Sequence, residues 1–146
     1  MSFKPHPALA RNTGFLISRV GDLTRRRFAE RLSELALTPR MFGVLNVLDA
    51  EGAVTQHALC QAVGMDPSSM VATIDELEAK GLAERRRNPQ DRRAHALYLT
   101  PAGQEMLGRA RQVAGESQQE LLHPLSSDER AQLHEFLLRL AGGLSG

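Results

Sequence analysis

Apolar residues recur at helical spacing over most of this chain, and the stretches between them are rich in capping and turn residues. Over the first 35 residues the apolar positions roughly follow one stripe. They are Leu9, Leu16, Val20, Leu23, Leu32 and Leu35, with Phe15 and Phe28 beside them. The pattern predicts a long first helix over residues 7 to about 34, weakened by glycines at positions 14 and 21.

Capping residues place the next two helices. Thr38-Pro39 is typical of a helix start, with threonine as N-cap and proline at the first helical position. This second helix should end near Ala50. Thr55 predicts the start of a shorter third helix, and Gly64 its end, because glycine accepts the left-handed conformation of a helix terminus.

A fourth helix, from Asp66 to Lys80, is followed directly by two strand-like segments, 82–87 and 94–99. Within the helix Met70, Ile74 and Leu77 are spaced to face inward. The third and fourth helices together predict a helix-turn-helix. Turn-forming residues 88–91 make the two strand-like segments a β-hairpin.

Thr100-Pro101 should cap a fifth helix that runs toward Leu122, and Ser126 or Ser127 should open a sixth that ends before the C-terminal glycines. The expected fold is therefore mainly α, with six helices and one small β-hairpin.

Composition limits the classes of protein to consider. A length of 146 residues, with 42% hydrophobic and 24% charged residues, is ordinary for one soluble globular domain. The absence of a long apolar run and the single cysteine favour a cytoplasmic protein without membrane contact or an intrachain disulfide. Net charge is only +1, but Lys80 to Arg93 holds six basic and two acidic residues. Such a local concentration can attract phosphates.

The hairpin also carries the residues of a known family pattern. They are Gly81-Leu82, Glu84-Arg85-Arg86, Asn88-Pro89, Asp91, Arg93, Leu97, Leu99-Thr100 and Gly103. With this pattern and the helix order, the chain resembles the multiple-antibiotic-resistance regulator (MarR) family over nearly its whole length.

The resemblance implies a winged helix-turn-helix lobe over about 38–100 and dimerisation helices over about 7–34 and 101–142. It implies an intertwined homodimer in which both lobes bind double-stranded DNA at a palindromic operator. It also implies that Arg93 enters the minor groove from the wing tip and that Asp91 orients it. The alternative is that both residues only solubilise the hairpin.

The helix after Asp66 departs from the family, whose members often carry arginines at the positions of Ala72 and Glu76. Base contacts should then come from small and hydroxylated side chains, which discriminate bases weakly. For both serines of this helix the alternative is helix capping alone. The predicted DNA-binding residues are Thr55, Ser68, Ser69, Ala72, Thr73, Arg86, Asp91, Arg92 and Arg93.

Catalysis, metal binding and cofactors have no candidate residues in this sequence. The five histidines form no H-x-x-x-H pair. Cys60, the one cysteine, is expected to be a small buried hydrophobe and not a redox switch.

The leading hypothesis is a repressor released from its operator by a small, aromatic or phenolic effector. Phe15, Arg19, Phe42 and Leu45 are candidates to line the effector pocket, although plain core or dimer packing is the favoured reading of all four. An effector-independent architectural DNA-binding protein is one alternative. A protein-interaction domain that does not bind DNA is another.

Overall fold

Seven helices and three short strands make up the part of the chain that the computed structural model describes, residues 4–88, 90–91 and 95–144. In chain order they are α1 (Pro7–Ala10), α2 (Thr13–Ser33), α3 (Pro39–Glu51), β1 (Val54–Thr55), α4 (Gln56–Val63), α5 (Pro67–Ala79), β2 (Ala83–Arg87), β3 (His95–Leu99), α6 (Pro101–Leu122) and α7 (Ser127–Leu144).

The predicted caps are confirmed. The side-chain oxygens of Thr38, Thr55 and Thr100 each accept a hydrogen bond from the backbone amide three residues on, at 3.0–3.2 Å. Gly64 ends α4 with φ 70° and ψ 40°, the left-handed conformation expected there. Local sequence therefore sets most helix boundaries.

The prediction of one unbroken first helix is wrong, and so is the count of six. Asn12 separates α1 from α2, because its Oδ1 accepts a hydrogen bond from the Phe15 amide at 2.8 Å and caps a new helix. Asparagine is among the strongest N-cap residues, so it competes with continuation of the helix at that point.

The predicted hairpin is part of a three-stranded antiparallel sheet with strand order β1-β3-β2. The hairpin register pairs Ala83 with Leu99 and Arg87 with His95. The additional strand, β1, pairs Val54 with Leu97. A two-residue strand is too short for alternation to predict, and Thr55 belongs to it while also capping α4.

One hydrophobic core joins α2 to α6 and the sheet. Met70, Ile74 and Leu77 are fully buried in it, as predicted. At Gly103 the start of α6 lies so close to the chain after α5 that a Cβ there would be 2.0 Å from the Leu82 carbonyl oxygen. This glycine lets α6 leave the sheet directly and carry the chain away from the lobe.

The helices at both ends of the chain expose large apolar side chains. The exposed residues are Leu9, Ile17, Val20, Phe136, Leu137, Leu138, Leu140 and Leu144. α7 contains no buried residue at all. None of the described helices combines the length and the apolar character needed to cross a membrane.

Candidate nucleic-acid interface

α4 and α5 form the predicted helix-turn-helix. The amides of Gly64 and Met65 both donate to the Cys60 carbonyl, at 2.9 and 3.1 Å, and Asp66 then caps α5. Because α5 buries one face in the core, the opposite face is presented outward. That outward stripe consists of Ser68, Val71, Ala72 and Asp75, which follow the spacing i, i+3, i+4, i+7 and are all exposed.

Asp66 organises the first turn of α5. Its carboxylate accepts hydrogen bonds from the Ser68 and Ser69 hydroxyls, both at 2.6 Å, and from the Ser69 amide at 3.0 Å. The Ser68 hydroxyl, followed by the Ser69 hydroxyl and amide, holds the pKa of Asp66 well below its usual range. Both serine hydroxyls donate to Asp66, so their oxygens remain able to accept a hydrogen bond.

Thr73, one of the predicted DNA-binding residues, does not share that outward face. Only 6% of the residue is exposed, and its hydroxyl donates to the Ser69 carbonyl at 2.8 Å. The reason is helical geometry, since position 73 lies beside the buried Met70, Ile74 and Leu77.

The hairpin, here called the wing (residues 83–99), is fastened to α5 by an arginine. Arg85 lies in β2, and its Nη2 is 3.0 Å from Asp75 Oδ1 while its Nη1 is 2.7 Å from Glu78 Oε1. The two acidic residues on α5 thereby balance one of the wing's cations.

Arg86, the next residue of β2, projects from the wing. It forms an ion pair with Glu84, and its guanidinium carbon lies 4.9 Å from the centre of the Tyr98 ring. Its side chain is nevertheless 61% exposed, so the charge is available to a partner. Asp91 is exposed, and Arg92 and Arg93 lie outside the described residues.

A groove of about 650 Å³ runs beside α5, between it, α2 and the start of α3. Arg25 and Arg40 supply cations at its walls, and apolar atoms form more of its surface than polar atoms do. The groove is lined by Arg25, Ala29, Thr38, Pro39, Arg40, Met41, Ser68, Ser69, Ala72, Thr73 and Glu76.

The four residues predicted to line an effector pocket do not line this groove. Leu45 has no exposed surface and belongs to the core. Phe42 packs edge-to-face against Phe28, with ring centres 5.1 Å apart. Phe15 and Arg19 are half-buried on α2. Leu45 lies in the core and Phe42 packs against it, which agrees with core packing, the reading favoured from the sequence.

Cys60 is half-buried on α4 and packs against the core, close to the predicted environment but less enclosed. Two features of the interface were missed by sequence reasoning. Val71 was overlooked because an apolar residue in a helix suggests the core. The pairing of Arg85 was overlooked because neighbouring arginines in a basic run cannot be told apart without the fold.

A helix-turn-helix whose second helix leads directly into a hairpin packed against it is a winged helix-turn-helix. The sequence profile of the MarR family matches residues 37–94. A protein assigned as the transcriptional regulatory protein for the hcr operon of Thauera aromatica is 35% identical over 136 residues, 92% of this chain and 82% of that protein.

Solved structures agree over both the lobe and the terminal helices. The transcriptional repressor CouR bound to a 23-mer DNA duplex has a TM-score of 0.85 and 31% identity, covering 96% of this chain and 99% of that one. A mutant of Escherichia coli MarR complexed with operator DNA has a TM-score of 0.78 and 31% identity, covering 87% and 91%. The chain belongs to the MarR family of transcriptional regulators.

Proposed function

We propose that this protein is a homodimeric repressor that binds a palindromic operator and leaves it when a small anionic aromatic ligand binds. One observation carries the DNA-binding part. The outward stripe of α5 is made of short side chains that the core does not use, and an ion pair ties it to a wing rich in arginine. Short side chains permit close approach to base edges, while the wing supplies charge for phosphates.

The terminal helices support the dimer. Their leucines, isoleucine, valine and phenylalanine remain exposed in a single chain. Pairing around a two-fold axis would bury them, as closed homodimers do. Two α5 helices would then reach successive major grooves, roughly 34–36 Å apart. CouR and a mutant of E. coli MarR, both solved in complex with DNA, have the same fold.

The groove beside α5 supports control by a ligand. Its two arginines outnumber its one carboxylate, Glu76, and suit a carboxylate or phenolate, and its apolar atoms suit a flat ring. Because Ser68, Ser69 and Ala72 belong both to the groove and to the first turns of α5, a ligand there would compete with DNA. This competition makes release, and hence repression in the free state, the mechanism we favour.

The wing tip is the second part of the proposed DNA contact. Arg92 and Arg93 would add charge at the minor groove, with Asp91 orienting Arg93. Thr55, at the start of α4, and Arg86 would contact the backbone.

In vitro selection from a randomised 40-base-pair duplex library tests DNA binding without knowledge of the operator. We expect enrichment of one inverted repeat with half-sites about 10–10.5 base pairs apart, centre to centre. Recovery of unrelated sequences with no repeat would overturn sequence-specific binding, and failure to retain any duplex would favour a protein-interaction domain.

Salt titration of the selected duplex tests the wing. Each cation that neutralises DNA charge contributes about 0.9 to the slope of log K against log salt, so Arg93→Ala should lower the slope by up to about 2 in a dimer. Asp91→Ala should also weaken binding, although it removes a negative charge. Arg109→Ala, on the exposed side of α6, is the matched control and should leave the slope unchanged. Tighter binding by Asp91→Ala would refute the positioning role.

A screen of benzoate, salicylate and hydroxycinnamate against the selected complex tests ligand control. Release by one of them, abolished in Arg25→Gln or Arg40→Gln, is the expected result. An operator complex insensitive to all carboxylates and phenolates tested would favour the architectural alternative.

A further inference from the structure

Val71 is an isolated exposed apolar residue in the helix-turn-helix. Nine large hydrophobic residues are exposed in the described part of the chain, and eight of them lie in α1, α2 and α7, where a second copy would cover them. Val71, 39% exposed, is the ninth and lies on α5. A dimer formed through the terminal helices leaves it uncovered.

Val71 does not belong to the hydrophobic core. The inward face of α5 is filled by Met70, Ile74 and Leu77, each with no exposed surface. Valine is also a weaker helix former than alanine, because its branched side chain loses freedom against the preceding turn. Neither packing nor helix stability accounts for valine at this position.

The neighbours of Val71 define what it can meet. It stands at the middle of the outward stripe of α5, with Ala72 beside it, Ser68 one turn before and Asp75 one turn after. The Ser68 hydroxyl donates a hydrogen bond to Asp66, and the Asp75 carboxylate forms an ion pair with Arg85. The centre of the stripe is therefore a pair of adjacent side chains that carry methyl groups. On either side of this pair lies a polar side chain that already has a partner within the protein.

The chemistry of the major groove then identifies the contact. Guanine presents two acceptors there, which an arginine or lysine would read, and the outward stripe holds no cation. Thymine presents a C5-methyl group, the one apolar feature of the unmodified base edges. We infer that Val71, supported by the Ala72 methyl, contacts a thymine C5-methyl in each half-site and makes that position of the operator specific for thymine.

This inference rests on the proposed DNA binding and adds a base preference to it. Burying one methyl group is worth about a fourfold change in affinity, so two half-sites give about fifteenfold. The loss of affinity on removing a thymine methyl should depend on Val71 at one symmetric pair of operator positions and at no other position.

Deoxyuridine substitution provides the test, because it removes only the C5-methyl of thymine. Each thymine pair of the selected inverted repeat is replaced in turn, and fluorescence anisotropy gives the dissociation constant for wild type and Val71→Ala. Wild type should lose about fifteenfold at one symmetric pair. Val71→Ala should bind the thymine duplex as weakly as wild type binds that substituted duplex. Its dissociation constant should be the same for both duplexes.

Ser68→Ala is the matched control, since it alters the same stripe without changing an apolar contact. It should keep the full thymine preference whatever happens to its overall affinity. A Val71→Ala protein that still discriminates thymine from deoxyuridine at every sensitive position would overturn the inference. So would a wild type indifferent to all substitutions. If the wild type bound no duplex at all, the proposed function itself would be overturned. Thermal melting establishes that Val71→Ala is folded.

Discussion

Arg85 of the wing and Asp75 of α5 are joined by an ion pair, with 3.0 Å between Nη2 and Oδ1. The same guanidinium reaches Glu78 on the next turn of the helix, so one side chain spans two carboxylates. The wing and α5 are thereby held in a fixed relative position. Of the three consecutive arginines in β2, Arg85 is paired with α5, whereas Arg86 is paired with Glu84 of its own strand and keeps a side chain that is 61% exposed.

Arg85→Gln and Arg86→Gln should therefore differ in how salt affects DNA binding. Arg86→Gln should reduce the slope of log K against log salt by up to about 2 for a dimer, because a phosphate contact is lost from each subunit. Arg85→Gln should weaken binding with almost no change in slope, since its charge is already neutralised by Asp75. Its loss of stability should stay within about 1 kcal/mol, the value typical of exposed ion pairs.

Anisotropy titrations between 50 and 300 mM salt separate the two variants. Equal reductions in slope would mean that Arg85 contacts DNA directly and that the ion pair with Asp75 does not persist in the complex.

The ion pair of Arg85 could not be predicted from the sequence. Helix boundaries follow from residues within four positions of each other, and so Thr38, Thr55 and Thr100 could be recognised as caps in advance. The partner of Arg85 is ten residues away across a turn, in a run of six basic residues that look equivalent in sequence. The turn-forming residues between two strand-like segments predicted the hairpin correctly. The charge density of the segment could not show which arginine is paired within the fold.

The face of α5 could be predicted only approximately. Met70, Ile74 and Leu77 fixed the buried direction, but Thr73 lies at the edge of that face, where polarity suggested exposure and geometry gives burial. Asn12 was overlooked for a related reason. The apolar spacing continues across it, whereas its cap interaction depends on one side chain.

Gly103→Ala should be strongly destabilising. The added methyl would lie 2.0 Å from the Leu82 carbonyl oxygen, a backbone atom that cannot rotate away as a side chain can. We expect a loss of more than about 3 kcal/mol, at the upper end of overpacking effects. Gly108→Ala, in the same helix with no atom within 4 Å of the new methyl, should instead gain about 0.5–1 kcal/mol from helix propensity.

Urea unfolding followed by circular dichroism measures both variants at one protein concentration, because a dimer's stability depends on concentration. Equal stability of Gly103→Ala and wild type would show that α6 can move away from Leu82 at little cost.

The Thr100 hydroxyl connects the chain before β2 to the start of α6, because it both donates and accepts a hydrogen bond. Oγ1 donates to the Gly81 carbonyl at 2.6 Å and accepts from the Gly103 amide at 3.0 Å. Thr100→Val keeps the shape and removes both bonds, and it should cost about 1–2 kcal/mol of unfolding free energy. Thr100→Ser keeps the hydroxyl and should lose less. Identical midpoints for the valine and serine variants would mean that the two hydrogen bonds stabilise the fold no more than the methyl group does.

We expect α7 to decide the oligomeric state. Phe136 and Leu140 are 52% and 53% exposed, four residues apart on one face of a helix with no buried residue. A second copy can cover that face, and burying a phenylalanine or leucine side chain contributes about 1.5–3 kcal/mol. Phe136→Glu would place one carboxylate on each side of the two-fold axis. We expect the double variant Phe136→Glu, Leu140→Glu to sediment as a monomer at micromolar concentration.

His134→Glu is the matched control, because it adds a carboxylate at an exposed polar position on the side of α7 opposite Phe136, and it should remain dimeric. Operator binding provides a second readout. A monomer engages one half-site at a time, so affinity for the full inverted repeat should fall to that for an isolated half-site. If the double variant stays dimeric and binds the repeat normally, the apolar face of α7 is not the interface, and the stripe of Leu9, Ile17 and Val20 must hold the subunits together without it.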